Sequence, residues 1–126
     1  MHPAKSANVH SLPAAERYDY FVRKVADFEK VWGLFSNGWA LAEDTDGRKV
    51  FPFWPEEAFA ESCADGSWAG YQPRAIPLDE FMRKWLPGMA NDAILVGVFP
   101  TSAEKGIVVK SLQLEADLAR ELQEYE

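Results

Sequence analysis

The chain has 126 residues, of which 48% are hydrophobic and 13% aromatic, and its formal net charge is −7. This composition excludes a disordered chain, and the length favours one domain over residues 1–126, with residues 1–10 flexible. The acidic charge argues against nucleic acid or an anionic membrane as a partner, because binding to either depends on clustered Lys and Arg.

The first predicted element is a helix that begins near Ser11 and Pro13 and ends near Phe28. Proline is tolerated in the first turn of a helix, and the apolar residues after it recur at i, i+3, i+4 and i+7. They form one apolar stripe, which consists of Tyr18, Phe21, Val22 and Val25.

Two tight turns are predicted next, at Asn37-Gly38 and Asp46-Gly47. Asn or Asp followed by Gly tolerates the positive φ that a two-residue hairpin loop requires. We therefore expect three consecutive antiparallel strands, in which Phe35 lies opposite Ala40 across the first turn.

The third strand of this meander lies in the stretch VFPFWPEEAF, residues 50–59. The second turn places Asp44 opposite Lys49, and Pro52 predicts an edge strand or a bulge because proline has no backbone N–H to donate. Alternation along the three strands gives two apolar faces, so we expect helices on both faces or a subunit interface on one.

The rest of the chain alternates short helices and strands. Helices are predicted in PEEAFAESCA and from Asp79 to Leu86, where Pro87-Gly88 stops the second one. Strands are predicted at Arg74–Ile76 and in AILVGVFP and GIVVK, and Ser111 caps a final helix. The order predicts an α+β fold, with a mainly antiparallel sheet of about five or six strands, N- and C-terminal helices and two short internal helices.

Few residues suit catalysis or metal binding. Both histidines, His2 and His10, lie in the segment that we expect to be flexible, which removes the commonest general base and metal ligand from the folded part. Cys63 is the only cysteine, and its place beside small residues predicts a buried, inert thiol. Motifs such as G-x-G-x-x-G and H-E-x-x-H are absent, so we predict no metal site, no cofactor and no catalytic residue.

Three aromatic residues and one arginine form the predicted binding site: Trp54, Trp68, Tyr71 and Arg74. The last three lie in the glycine-rich segment GSWAGYQPRAIP, and Trp, Tyr and Arg dominate the hot spots of protein interfaces. The alternative is that the rings cover the core and that Arg74 pairs with a carboxylate such as Asp65.

Four segments resemble a known bacterial family, catalogued as domain of unknown function 2750. They are YDYFVRKVADFEKVWGL, GWALAEDTDGRKVFPFWPEEAFAESCA, WAGYQPRAIPLDEFMRKWLP and VGVFP, and their most distinctive parts are FPFWP and PRAIPLDEF. The resemblance covers roughly Tyr18 to Val109. It implies a stand-alone cytoplasmic bacterial domain and brings no catalytic residues. The cytoplasmic location also fits the lack of any segment that resembles a signal peptide or a membrane span.

The leading functional hypothesis is a non-catalytic macromolecular-interaction module, an adaptor or the neutralising partner of a basic toxin, because opposite charge steers encounter. The alternative is a carboxylate-dependent hydrolase or a small-ligand binder near the predicted binding site. A homodimer joined through a sheet face or the terminal helix is a third hypothesis. The carboxylates that a hydrolase could use are Glu43, Glu56, Glu57, Asp79 and Glu80. Most of them lie at the start of short helices, where a carboxylate interacts favourably with the helix dipole.

Overall fold

The structure, a computed structural model, describes Val9 and residues 11–101 and 106–124. Within these residues the predicted α+β class is confirmed, because six strands in two sheets are combined with helices that precede and follow them. The predicted flexibility of residues 1–10 lies outside the described residues, Val9 excepted, and both histidines lie there too.

The helices in the described residues fall at the predicted places, except that the one predicted from Asp79 to Leu86 continues to Asn91. They are α1 (Ala14–Phe28), α2 (Glu57–Ser62), α3 (Leu78–Glu80), α4 (Leu86–Asn91) and α5 (Ser111–Gln123). A 3₁₀ turn, Gly66–Trp68, follows α2, and a π-helical segment, Phe81–Trp85, joins α3 to α4. Ser111 is the first residue of α5, and Lys110 occupies the cap position that was predicted for Ser111.

The strands form two sheets. They are β1 (Lys30–Phe35), β2 (Ala42–Glu43), β3 (Lys49–Phe53), β4 (Gln72–Pro77), β5 (Leu95–Val98) and β6 (Ile107–Val109). Strands β1 and β4 form an antiparallel pair, and the second sheet has the order β2-β3-β5-β6. The β3–β5 pair is parallel and the other pairs are antiparallel, so the predicted antiparallel character holds for most of the pairing.

The predicted three-stranded meander is wrong in its first pair. Strand β1 pairs with β4, which lies far along the chain, and meets the segment before β2 at a single bridge between Phe35 and Trp39. The first loop therefore contains three residues, and Phe35 does not lie opposite Ala40. Asn37 in this loop has a φ of 58°, which asparagine tolerates better than most residues.

The hairpin between β2 and β3 is confirmed, but its register is shifted by one residue. Glu43 lies opposite Lys49, where Asp44 was expected. Gly47 takes a φ of 79°, which is typical of the last residue of a three-residue hairpin loop. A two-residue loop was expected, and the additional residue shifts the pairing of the two strands by one. Asp44 instead accepts a hydrogen bond from Arg48 Nε at 2.6 Å within the loop.

Pro52 lies inside the second sheet, so its expected edge position is wrong. It is opposite Gly97 of β5 on one side. On the other side, the pairing with β2 ends at Val50. The next backbone hydrogen bonds on that side are the two that Trp54 exchanges with Trp32. Pro52 therefore occupies the gap between two partner segments, where no backbone N–H is needed.

The helical stretch 78–91 continues through Pro87-Gly88, so the predicted stop at these residues is wrong. Leu86 N–H donates to the carbonyl of Phe81, five residues back, which is the hydrogen bond of a π-helix. Pro87 then lies in the first turn of α4, where its missing N–H costs little.

The core lies between the second sheet and the helices. Phe53 and Val96 have fully buried side chains on one face, and the π-helical segment covers Phe53 through an edge-to-face contact with Phe81. The opposite face forms a shallow cleft lined by Val50, Pro52, Gly97 and Val108 among others. Val50, Pro52 and Gly97 are nevertheless buried, so the expectation that helices cover both faces, or that a subunit interface covers one, stays a prediction.

Candidate functional site

The predicted binding site separates into two places. Trp54 is fully buried, and its Nε1–H donates to the carbonyl of Pro100 at 2.8 Å. The half-buried Trp68 packs edge-on against it, with ring centroids 6.0 Å apart, and Tyr71 is also half-buried against the core. Trp54 itself cannot reach a partner, because no part of its ring is exposed.

Arg74 lies away from the Trp54–Trp68 pair. It is on β4 opposite Gly33, its side chain is exposed, and its guanidinium carbon lies 3.8 Å from the centroid of the Phe35 ring. No ion pair with Asp65 occurs among the described residues, so the expected partner of Arg74 is wrong. The arginine is stacked on an aromatic ring instead, an arrangement that the planar guanidinium favours.

Arg74 is one end of a row of side chains that we call the aromatic strip: Arg74, Phe35, Trp39, Trp85 and Phe51. Neighbouring ring centroids are 5.2 Å apart for Phe35 and Trp39, 5.0 Å for Trp39 and Trp85, and 5.7 Å for Trp85 and Phe51. All four rings are partly exposed, and Arg74 is exposed. The strip therefore brings four partly exposed rings and one exposed arginine together in a single row.

The positions of these rings follow from the local backbone. Gly33 leaves room for the Trp39 ring, because a Cβ at this position would lie 3.0 Å from Cε3 and Cζ3 of the indole. The π-helical segment presents Trp85 between Trp39 and Phe51. A glycine inside a strand often marks a place where another group packs closely against the backbone. Gly33 is therefore the sequence signal that could have predicted the position of Trp39.

Two of the five candidate carboxylates, Glu56 and Asp79, have structural partners. Glu56 accepts a hydrogen bond from the hydroxyl of Tyr20, and Asp79 pairs with Arg83 at 3.1 Å on the surface. Glu43 and Asp44 line a cleft of about 120 Å³ that also includes Trp68. Both oxygens of Asp44, however, accept hydrogen bonds within its own loop.

Electrostatics at Asp44 also argue against a role as a general acid. Desolvation acts to raise its pKa, but hydrogen bonds from the backbone and side chain of Arg48 and from the backbone of Asp46 hold the pKa below its usual value. Asp44 therefore stays ionised at neutral pH, and its charge stabilises the loop.

The predicted burial of Cys63 is confirmed, and burial raises the pKa of its thiol. Its Sγ lies 3.4 Å from the carbonyl oxygen of Pro100. Across Val9 and residues 11–101 and 106–124, no group of three or more His, Cys, Asp or Glu side chains is placed to hold a metal ion. In the same residues no helix has the length and apolarity of a membrane span.

Comparison with known proteins identifies the family. The model of the family described as "Protein of unknown function (DUF2750)" matches residues 18–118. The chain belongs to this family. The match confirms the resemblance and extends past Val109 into α5, whose Leu114 and Leu118 are fully buried in this chain. No curated protein and no solved structure matches the chain significantly.

Proposed function

We propose that this family member is a non-catalytic interaction module that binds a protein partner through the aromatic strip. The observation that carries the proposal is the row of partly exposed rings that ends in Arg74 stacked on Phe35 at 3.8 Å. Trp and Arg are enriched at the centre of protein interfaces, where they supply most of the binding energy.

The shape of the strip supports a protein partner over a small molecule. Its five residues line none of five clefts found in the described part of the chain. A small ligand needs a concave site that covers most of its surface, whereas a protein can cover a flat patch. The net charge of −7 adds a long-range attraction to a basic partner, as an adaptor or a toxin-neutralising protein would require.

The hydrolase alternative has less support. Glu56 and Glu57 line one cleft, but Glu56 accepts a hydrogen bond from Tyr20. Glu43 shares a cleft with Asp44, which is bonded within its own loop, and Asp79 pairs with Arg83 on the surface. A hydrolase of this type needs two carboxylates that face one cleft and are available for proton transfer or nucleophilic attack.

The test is a quantitative affinity purification from cells of the native host. The doubly substituted chain Phe35→Ala/Arg74→Ala removes one end of the strip without touching a fully buried residue, and Phe28→Ala is the matched control because Phe28 is an exposed ring outside the strip. We expect a protein that the native chain and the control retain and that the double variant loses, with about 30-fold weaker affinity. Equal retention by all three chains would refute the role of the strip, and a concentration-dependent doubling of mass would identify a second copy as the occupant.

A further inference from the structure

A second cleft lies on another part of the surface, where the end of α4 and the start of β5 meet the first turn of α5. Its volume is about 390 Å³, within the range of small-molecule sites. The lining is mainly apolar and includes Met89, Ile94, Leu95 and the exposed Leu112. The cleft shares no residue with the aromatic strip, so any ligand that it binds is independent of the proposed function.

The charge of this cleft is opposite to that of the chain. Arg48 and Lys110 lie in its lining, and no carboxylate does. Four other clefts in the described residues each carry at least two carboxylates. Arg48 is offset by Asp44 at 2.6 Å and Asp46 at 3.8 Å. Lys110 has no carboxylate partner among the described residues. The cleft therefore carries about one uncompensated positive charge.

Hydrogen-bond donors are also available at this end of α5. The first backbone N–H groups of a helix have no partner within the helix, and no side chain caps them here. Ser111 lines the cleft with only 2% of its surface exposed, and its hydroxyl makes no hydrogen bond to a described residue. The hydroxyl is not one of the buried polar atoms that lack a partner, so it is open to the cleft, where a ligand could complete its hydrogen bonding.

We propose that this cleft binds a small monocarboxylate with an apolar body. The carboxylate would accept hydrogen bonds from Ser111 and the first N–H groups of α5 beside the Lys110 ammonium, and the apolar body would lie against Ile94, Leu95 and Leu112. A monoanion matches the single uncompensated charge, whereas a phosphate dianion would exceed it. The same chemistry occurs in a fatty acid and in the C-terminal residue of a peptide.

The test is a titration of the full chain, followed by NMR, with three probes. Octanoate carries the carboxylate on an alkyl chain, N-acetyl-leucyl-leucine carries it on a peptide terminus, and 1-octanol has the apolar body without the charge. We expect shifts of the Ser111 and Leu112 amides and about tenfold weaker binding of 1-octanol than of the better carboxylate. The tighter of the two carboxylates identifies the source of the ligand.

Variants separate the site from general hydrophobic binding. Lys110→Gln and Ser111→Ala should each weaken carboxylate binding about tenfold and leave 1-octanol unchanged, because they remove a partner of the carboxylate only. Lys84→Gln, at an exposed lysine outside the cleft, is the matched control and should bind as the native chain does. Equal binding of 1-octanol and the carboxylates, no binding of either carboxylate, or an unchanged affinity in both Lys110→Gln and Ser111→Ala would overturn the proposal.

Discussion

Gly33 and Trp39 are in close contact, and a Cβ at Gly33 would crowd the indole ring. A Cβ on Gly33 would lie 3.0 Å from two atoms of the indole, and we expect Gly33→Ala to displace the ring and destabilise the fold by about 1–3 kcal/mol. Chemical denaturation and the NMR signals of the Trp39 ring measure the two effects. Gly38→Ala is the control, because a Cβ there meets no atom within 4 Å. Equal stability of the two variants would contradict the close contact.

Asp44 predicts a pH dependence of the loop between β2 and β3. Its pKa in the folded chain is below the usual 3.8, so its contribution to stability is present above that pH and is lost as the pH falls through the lower, folded value. The carboxyl carbon shift of Asp44, followed by NMR, should titrate with a midpoint below 3.8. Arg48→Gln should raise the midpoint, and Arg83→Gln should not. A midpoint at or above 3.8 in the native chain would disprove this account.

At the scale of elements, α1 and the residue after β5 are joined by Arg17, which is fully buried. Its Nε–H donates to the carbonyl of Phe99 at 3.1 Å, and its Nη1 donates to that of Leu12 at 2.7 Å. The apolar stripe of α1 gave no sign of this residue, because a charged side chain is expected on the solvent side of a helix.

Replacing Arg17 tests the strength of that connection. Arg17→Met keeps much of the side-chain volume but leaves buried carbonyls without donors, so we expect a loss of about 3 kcal/mol or more in the free energy of unfolding. Arg23→Met, at an exposed arginine of the same helix, should change it by less than about 0.5 kcal/mol. Urea denaturation of both variants gives the comparison, and a small loss for Arg17→Met would mean that water satisfies the carbonyls.

The local parts of the fold could be predicted, and the long-range parts could not. Apolar periodicity and turn residues located the helices, the strands and both turns. One extra left-handed residue in each loop, such as Gly47, shifted the register, and nothing in the local sequence distinguishes the two loop lengths. The pairing of β1 with β4 depends on tertiary contacts between segments that are far apart in the chain. For the same reason Arg74 could be selected from composition, whereas the rings that it joins could not.

For the whole molecule, two partly buried tyrosine hydroxyls that donate to carboxylates predict a loss of stability at alkaline pH. Burial first, and then hydrogen bonds to Asp117 and Glu56 respectively, raise the pKa of Tyr18 and Tyr20 well above 10.0. An acid whose pKa rises on folding contributes stability that is complete below its unfolded pKa and is lost as the pH increases beyond it.

We therefore expect the free energy of unfolding to fall as the pH rises above about 10. The double variant Tyr18→Phe/Tyr20→Phe should show a smaller fall over the same range, since it lacks both hydroxyls. Urea denaturation at a series of alkaline pH values measures the two slopes. Parallel slopes for the native chain and the variant would show that other groups, such as lysines, cause the loss.

Cys63 gives the chain an internal probe of transient opening. Its thiol is buried beside the Pro100 carbonyl, which also accepts the hydrogen bond of Trp54. A soluble thiol reagent can attack only those molecules in which this region has come apart, and then at the rate of an unprotected cysteine. Because the chain contains one cysteine, the ratio of the two rates gives the free energy of that opening from unlabelled protein.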